Sequence, residues 1–171
     1  MAERLEWPDG SVWTIERSPA DPDADPVVIE MRLADDVTAP PPHVHPEGQS
    51  ETYEVLEGSF EVQRDGQWEQ VRAGESATVE PGVVHTFRNE SGATCVMRNT
   101  HSPAHSFERY SRRLNAFINQ HGPRVTPVVV LGLARLWSEH SDTLRPGPLP
   151  LRLAFPVLAG VGRLARVKLP D

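Results

Sequence analysis

The 171-residue chain has a single cysteine, Cys95, so no intrachain disulfide can form and a disulfide-stapled scaffold is excluded. Long apolar runs are also lacking. The longest candidate, Leu149 to Leu169, is broken by Arg152, Pro156, Arg163, Arg166 and Lys168, which rules it out as a bilayer span. The first residues, "MAERLEWPDG", carry no apolar segment after their basic residue, so a secretory signal is not expected. Together these absences fit a reducing compartment, and the expectation is a cytoplasmic protein. Its length suits one domain able to bury most of its apolar surface.

Charge is present but divided. The formal net charge is −7, yet residues 1–100 hold 7 Lys+Arg against 20 Asp+Glu, whereas residues 101–171 hold 10 against 4. The basic residues of the tail are spaced among leucines and valines rather than clustered. A nucleic-acid arm is therefore not expected, and the tail is expected to pack on its own acidic body or a partner's. Membrane contact is disfavoured by that acidic body.

The first hundred residues read as β. "VVIEMRL" (27–33) alternates, with Val27, Ile29, Met31 and Leu33 on one face, and further short runs follow from "SVWTIE" to "ATCVMRN". Asp65-Gly66, Pro81-Gly82 and Ser91-Gly92 punctuate them, as in an antiparallel sandwich or barrel. After residue 100 the period changes to helical. Ser102-Pro103 and Thr126-Pro127 carry helix-start chemistry, and a third helical piece is expected from near Pro156. Residues 1–100 are expected to form a β-barrel and residues 101–171 helices packed on it, in one structural unit.

Within "PPHVHPEGQSETYEVLEG" (41–58), His43 and His45 project from one face of an extended segment stiffened by prolines 40–42 and Pro46. Glu51 opens the next strand, and His85 follows the Pro81-Gly82 turn. Three imidazoles and a carboxylate suit one divalent transition ion (Fe, Mn, Ni, Zn or Cu), with no thiolates to favour a closed structural zinc site. His101, His105, His121 and His140 are expected at the surface near helix ends. Cys95 has no basic neighbour in sequence to activate it, so a nucleophilic role is not expected.

These residues resemble the two motifs of the cupin superfamily. His43, His45, Glu51 and Gly58 match the first, and Gly74, Gly82, His85 and Asn89 match the second. Three positions depart from the pattern. Five residues separate His45 from Glu51, Val37 replaces a glycine, and Glu80 replaces a proline; Gln49 stands at the shorter spacing as an alternative donor. The resemblance implies a double-stranded β-helix (a jelly-roll, or cupin, barrel) with a C-terminal helical appendage, and often a homodimer. It implies a metal held by His43, His45, Glu51 and His85, with Glu51 also acting as a base. Tyr53, on the face of Glu51, is a second catalytic candidate. The expected function is metal-dependent chemistry on a small, mostly apolar molecule. Dioxygenase-like chemistry of the quercetinase type comes first, and isomerase, cyclase or lyase chemistry second. The alternative is a binding module that captures a small molecule or metal without chemistry.

Overall fold

Period-two alternation of apolar residues builds the β body of this computed structural model, which describes residues 2–38 and 41–171, with Thr38 as backbone only. Pro40, one of the stiffening prolines, lies outside the described residues. The strands are β1 (Glu3–Glu6), β2 (Val12–Arg17), β3 (Val27–Leu33), β4 (Val37–Thr38), β5 (His43–Val44), β6 (Ser50–Glu57), β7 (Ser59–Arg64), β8 (Gln67–Arg72), β9 (Ser76–Val79), β10 (His85–Asn89) and β11 (Cys95–Ser102). After them come α1 (Phe107–His121), α2 (Pro127–Glu139), the short β12 (Arg145–Pro146) and α3 (Leu149–Leu164).

Every strand pairing is antiparallel. One sheet runs β1-β2-β3-β11-β6-β9, and the other runs β12-β5-β10-β7-β8 with β4 beside β10. This is the jelly roll the motifs imply. Val27, Ile29, Met31 and Leu33 are all buried, and they share the interior with Tyr53, Val55, Phe60, Val62, Phe87 and Met97. Gly58 closes the first motif for a steric reason. Its φ is +74°, and a Cβ there would stand 2.6 Å from the Thr94 carbonyl oxygen. Asn89, which closes the second, is structural too: its amide donates to the carbonyls of Ala34 and Ala93.

The helical region departs from expectation at two starts. The strand β11 continues through His101 and Ser102, which pair with Glu51 and Ser50, so the Ser102-Pro103 signal does not begin a helix; α1 starts at Phe107. The hydrogen-bonded ladder outcompetes the local start signal. Likewise α3 begins at Leu149, not near Pro156, which sits inside it. Pro150 occupies its first turn, where a missing N–H costs nothing. The Thr126-Pro127 start holds, since the Thr126 hydroxyl accepts from the Val129 N–H. The β1 strand, Glu3–Glu6, carried no sequence signal.

Candidate metal centre

Two β pairings bring the site together. His43 on β5 lies opposite His85 on β10, and Glu51 on β6 lies opposite His101 on β11. The Gly82 N–H, in the turn before His85, donates to the His45 carbonyl at 2.9 Å. As a result His43, His45, Glu51 and His85, all buried, present one donor atom each within 4.8 Å of one another. The longer gap before Glu51 does not displace it. Gln49 is spent elsewhere: its amide donates to the carbonyls of Pro103 and Ala104 and accepts from the Thr143 hydroxyl.

The imidazole tautomers follow from their partners. Nδ1 of His43 lies 3.2 Å from the Pro41 carbonyl, Nδ1 of His45 2.6 Å from that of Thr143, and Nδ1 of His85 3.0 Å from that of Val83. A carbonyl only accepts, so each Nδ1 carries the hydrogen and each Nε2 keeps a lone pair for the centre. Two of these nitrogens face the same carboxylate oxygen: Glu51 Oε2 is 3.1 Å from His45 Nε2 and 2.9 Å from His85 Nε2. His85 Nε2 satisfies no hydrogen-bond geometry despite that distance. Lone pairs and a carboxylate converging in a buried space repel unless a cation lies between them. The donor set therefore fits a metal ion.

The donors also shift one another's protonation. Burial would raise the Glu51 carboxyl, but His101, His45 and His85 outweigh it and hold the group well below the usual carboxylate range. Burial, reinforced by His85 and His45, pushes His43 well down. Burial lowers His85 as well, yet the Glu51 carboxylate overrides it and the net shift is upward.

A layer behind the donors was not read from sequence. Asn99 Nδ2 donates to Glu51 Oε1 at 2.8 Å, and His101 Nε2 approaches the same oxygen at 3.2 Å. His101 is completely buried, with its ring stacked on Phe107 at 3.4 Å, and His140 is also buried. His105 and His121 are half-buried at the two ends of α1, so the surface expectation fails outright only for His101 and His140. Continuing the alternation of Cys95, Met97 and Asn99 by one step would have placed His101 inside. Thr143 had no sequence signal, being 98 residues from the histidine it orients.

Tyr53 is fully buried against Phe60 and Phe87, and its hydroxyl has no hydrogen-bond partner. Burial, then the nearby Glu51 charge, pushes its phenol well above the usual range. Cys95 is buried, and burial pushes its thiol up to about 11, which suits an inert core residue.

The donors open onto a cavity of about 290 Å³. His43, Glu51 and Asn99 line it, as do Trp7 from the β1–β2 turn, Trp13 from β2, and Phe107, Trp137 and Phe155 from the three helices. The appendage thus roofs the site.

The sequence pattern of the cupin domain matches residues 30–101. No curated protein matches the chain significantly. Among solved structures, an RmlC-like cupin from Shewanella frigidimarina is 21% identical, with a TM-score of 0.52 over 63% of this chain and 89% of that one. KdgF from a Halomonas species is 14% identical, with a TM-score of 0.50 over 59% of this chain and 86% of that one. At these identities the likeness concerns the fold. With the motif register, the jelly roll and the matched pattern agreeing, residues 30–101 of the chain form a cupin domain.

Proposed function

We propose that this cupin is a mononuclear-metal enzyme acting on a small, neutral, largely apolar molecule. Oxygenase-type chemistry is the leading reaction, and isomerisation, cyclisation or elimination the second. The observation that carries this reading is the opening of the donor set onto a helix-roofed apolar cavity. A cavity of this size, near the lower end of ligand pockets, has room for a compact organic ligand.

Charge narrows the ligand. The residues lining the cavity include Asp9 and Glu51 but, among the described residues, no lysine or arginine. A carboxylate or phosphate would meet two acids there and no guanidinium or ammonium. A neutral molecule with a hydroxyl or carbonyl oxygen at the donor end fits instead.

When bound, a divalent ion supplies Lewis acidity and, if redox-active, the electron chemistry for dioxygen. His43, His45, Glu51 and His85 would hold it, the imidazoles offering the Nε2 lone pairs that their Nδ1 hydrogen bonds leave free. Glu51 also lines the cavity, so it is the proposed base for a substrate hydroxyl proton. Asn99 fixes the other carboxylate oxygen while that proton moves. Tyr53, behind Glu51, stays a neutral phenol that modulates the carboxylate.

Elemental analysis of natively purified protein, with oxygen uptake on a panel of phenols and enols, tests the proposal. One equivalent of a transition ion is expected in the wild type. His85→Ala should weaken metal retention by about 10–100-fold or more, and Glu51→Gln should abolish uptake. Unchanged metal content in His85→Ala sinks the metal assignment. Stoichiometric ligand uptake with no product would make the protein a binding module.

A further inference from the structure

The helix α3 wears its side chains inside out. Two of its inward positions are small: Ala159 and Gly162 are buried, and a Cβ on Gly162 would already stand 3.1 Å from the Leu131 carbonyl of α2. Apart from Phe155, which packs on Trp137, its largest apolar residues face outward. Leu149 is 67% exposed, Leu153 70%, Val157 66%, Val161 45% and Leu164 86%. At steps of four and three these form one stripe along a helix about 24 Å long. The inner face is satisfied by α2, so the stripe is not spare core.

Exposed cations accompany the stripe. Arg152 and Arg163 are exposed on α3, Arg166 and Lys168 follow it, and the helix contains no acidic residue. Elsewhere some arginines are matched, such as Arg98 with Glu16 and Glu54, Arg112 with Glu3, and Arg113 and Arg135 with Glu139. Among the described residues, those four cations make no ion pair. Arg152 donates only to the Pro146 carbonyl, and Arg163 only to the Ser138 hydroxyl.

A second copy of the chain is a poor match for this face. Antiparallel pairing of two α3 helices about their midpoint, near Val157, sets Arg152 of each against Arg163 of the other. No carboxylate on either helix would relieve the repulsion. An anionic lipid surface matches both features. It takes up the apolar stripe below its headgroups and neutralises the flanking cations.

We propose that the outer face of α3 docks the protein, lying in the plane of the interface, on anionic lipid. No helix of the described residues is long and apolar enough to cross a membrane. The sequence weighs the acidic body against membrane contact, but α3 and the segment after it carry their four cations with no acidic residue on the helix. Phe155, also on α3, lines the cavity, so docking brings the cavity next to the lipid. This surface is independent of the metal centre, and its failure leaves that centre untouched.

Co-sedimentation of the full chain with vesicles decides the matter. Phosphatidylcholine alone should pellet little of it, while phosphatidylcholine mixed with phosphatidylglycerol should pellet it at low salt and release it at high salt. The double substitution Leu153→Glu with Val157→Glu, at exposed positions that leave the core intact, should cut binding by at least about tenfold. Arg152→Glu with Arg163→Glu keeps the stripe and should cut it similarly. Circular dichroism confirms that each variant is folded. Absence of pelleting, equal pelleting with both vesicles, or unchanged pelleting of the Glu variants overturns the proposal. So does a concentration-dependent dimer that Leu153→Glu and Val157→Glu dissolve, which would assign the stripe to a second copy.

Discussion

Each imidazole of the centre spends its Nδ1–H on a backbone carbonyl, so the chain sets the tautomers before any ligand arrives. Tyr53 is the contrasting case, a buried hydroxyl that forms no hydrogen bond. Such a group costs stability, so Tyr53→Phe should leave the melting temperature equal or a few degrees higher, by about 1 kcal/mol. Metal content should not change. A fall in metal content, read by elemental analysis, would show that the phenol helps to build the centre. The four donors were legible in sequence because alternation places His43 and His45 on one face, and the motif spacing supplies Glu51 and His85. His101 was not, because Ser102-Pro103 carries a helix signal that only the β6 ladder overrules.

At the scale of elements, α1 and α2 approach through a single glycine. A Cβ on Gly132 would lie 2.0 Å from the Phe117 ring, which is itself wholly buried. Gly132→Ala should therefore destabilise by about 1–3 kcal/mol, despite the better helix propensity of alanine. Thermal or urea unfolding measures it, and a stabilised variant would show that the two helices can separate freely. Gly132 looked like an ordinary helical position in sequence, since its neighbour Phe117 is set by tertiary packing. The same holds for the start of α3. Pro148 and Pro150 resemble a breaker, yet proline suits the first turn of a helix, and only the packing of α3 on α2 shows that a helix follows.

At the scale of the whole molecule, the appendage is tied together by a network around His140. Arg113 donates to His140 Nε2 at 3.0 Å, and a guanidinium accepts nothing, so this imidazole is neutral with its hydrogen on Nδ1. Nδ1 in turn donates to the Ser106 hydroxyl, which donates to Asp142. Burial, aided by the Arg113 charge, pushes His140 down to about 4 from its ordinary 6.5. Between those values the unfolded chain takes up a proton that the folded one refuses. Stability should therefore fall as pH drops from 6.5 towards 4, and this contribution should be flat above 6.5. Melting curves across that range check the slope. His140→Gln should lower stability at neutral pH and flatten the dependence, and an unaltered slope would mean that other groups carry it. The division into an acidic barrel and a basic tail was visible in composition. Which cations pair and which stay free was not, because ion pairs such as Arg112 with Glu3 join residues 109 apart in the chain.

The Thr143 carbonyl that orients His45 has a consequence for biogenesis. All strands but β12 lie within residues 1–102, yet His45 gains the partner of its Nδ1 only once the segment after α2 has folded back onto them. A chain truncated before that segment would lack the acceptor that fixes the His45 ring, leaving one of the four donors unaimed.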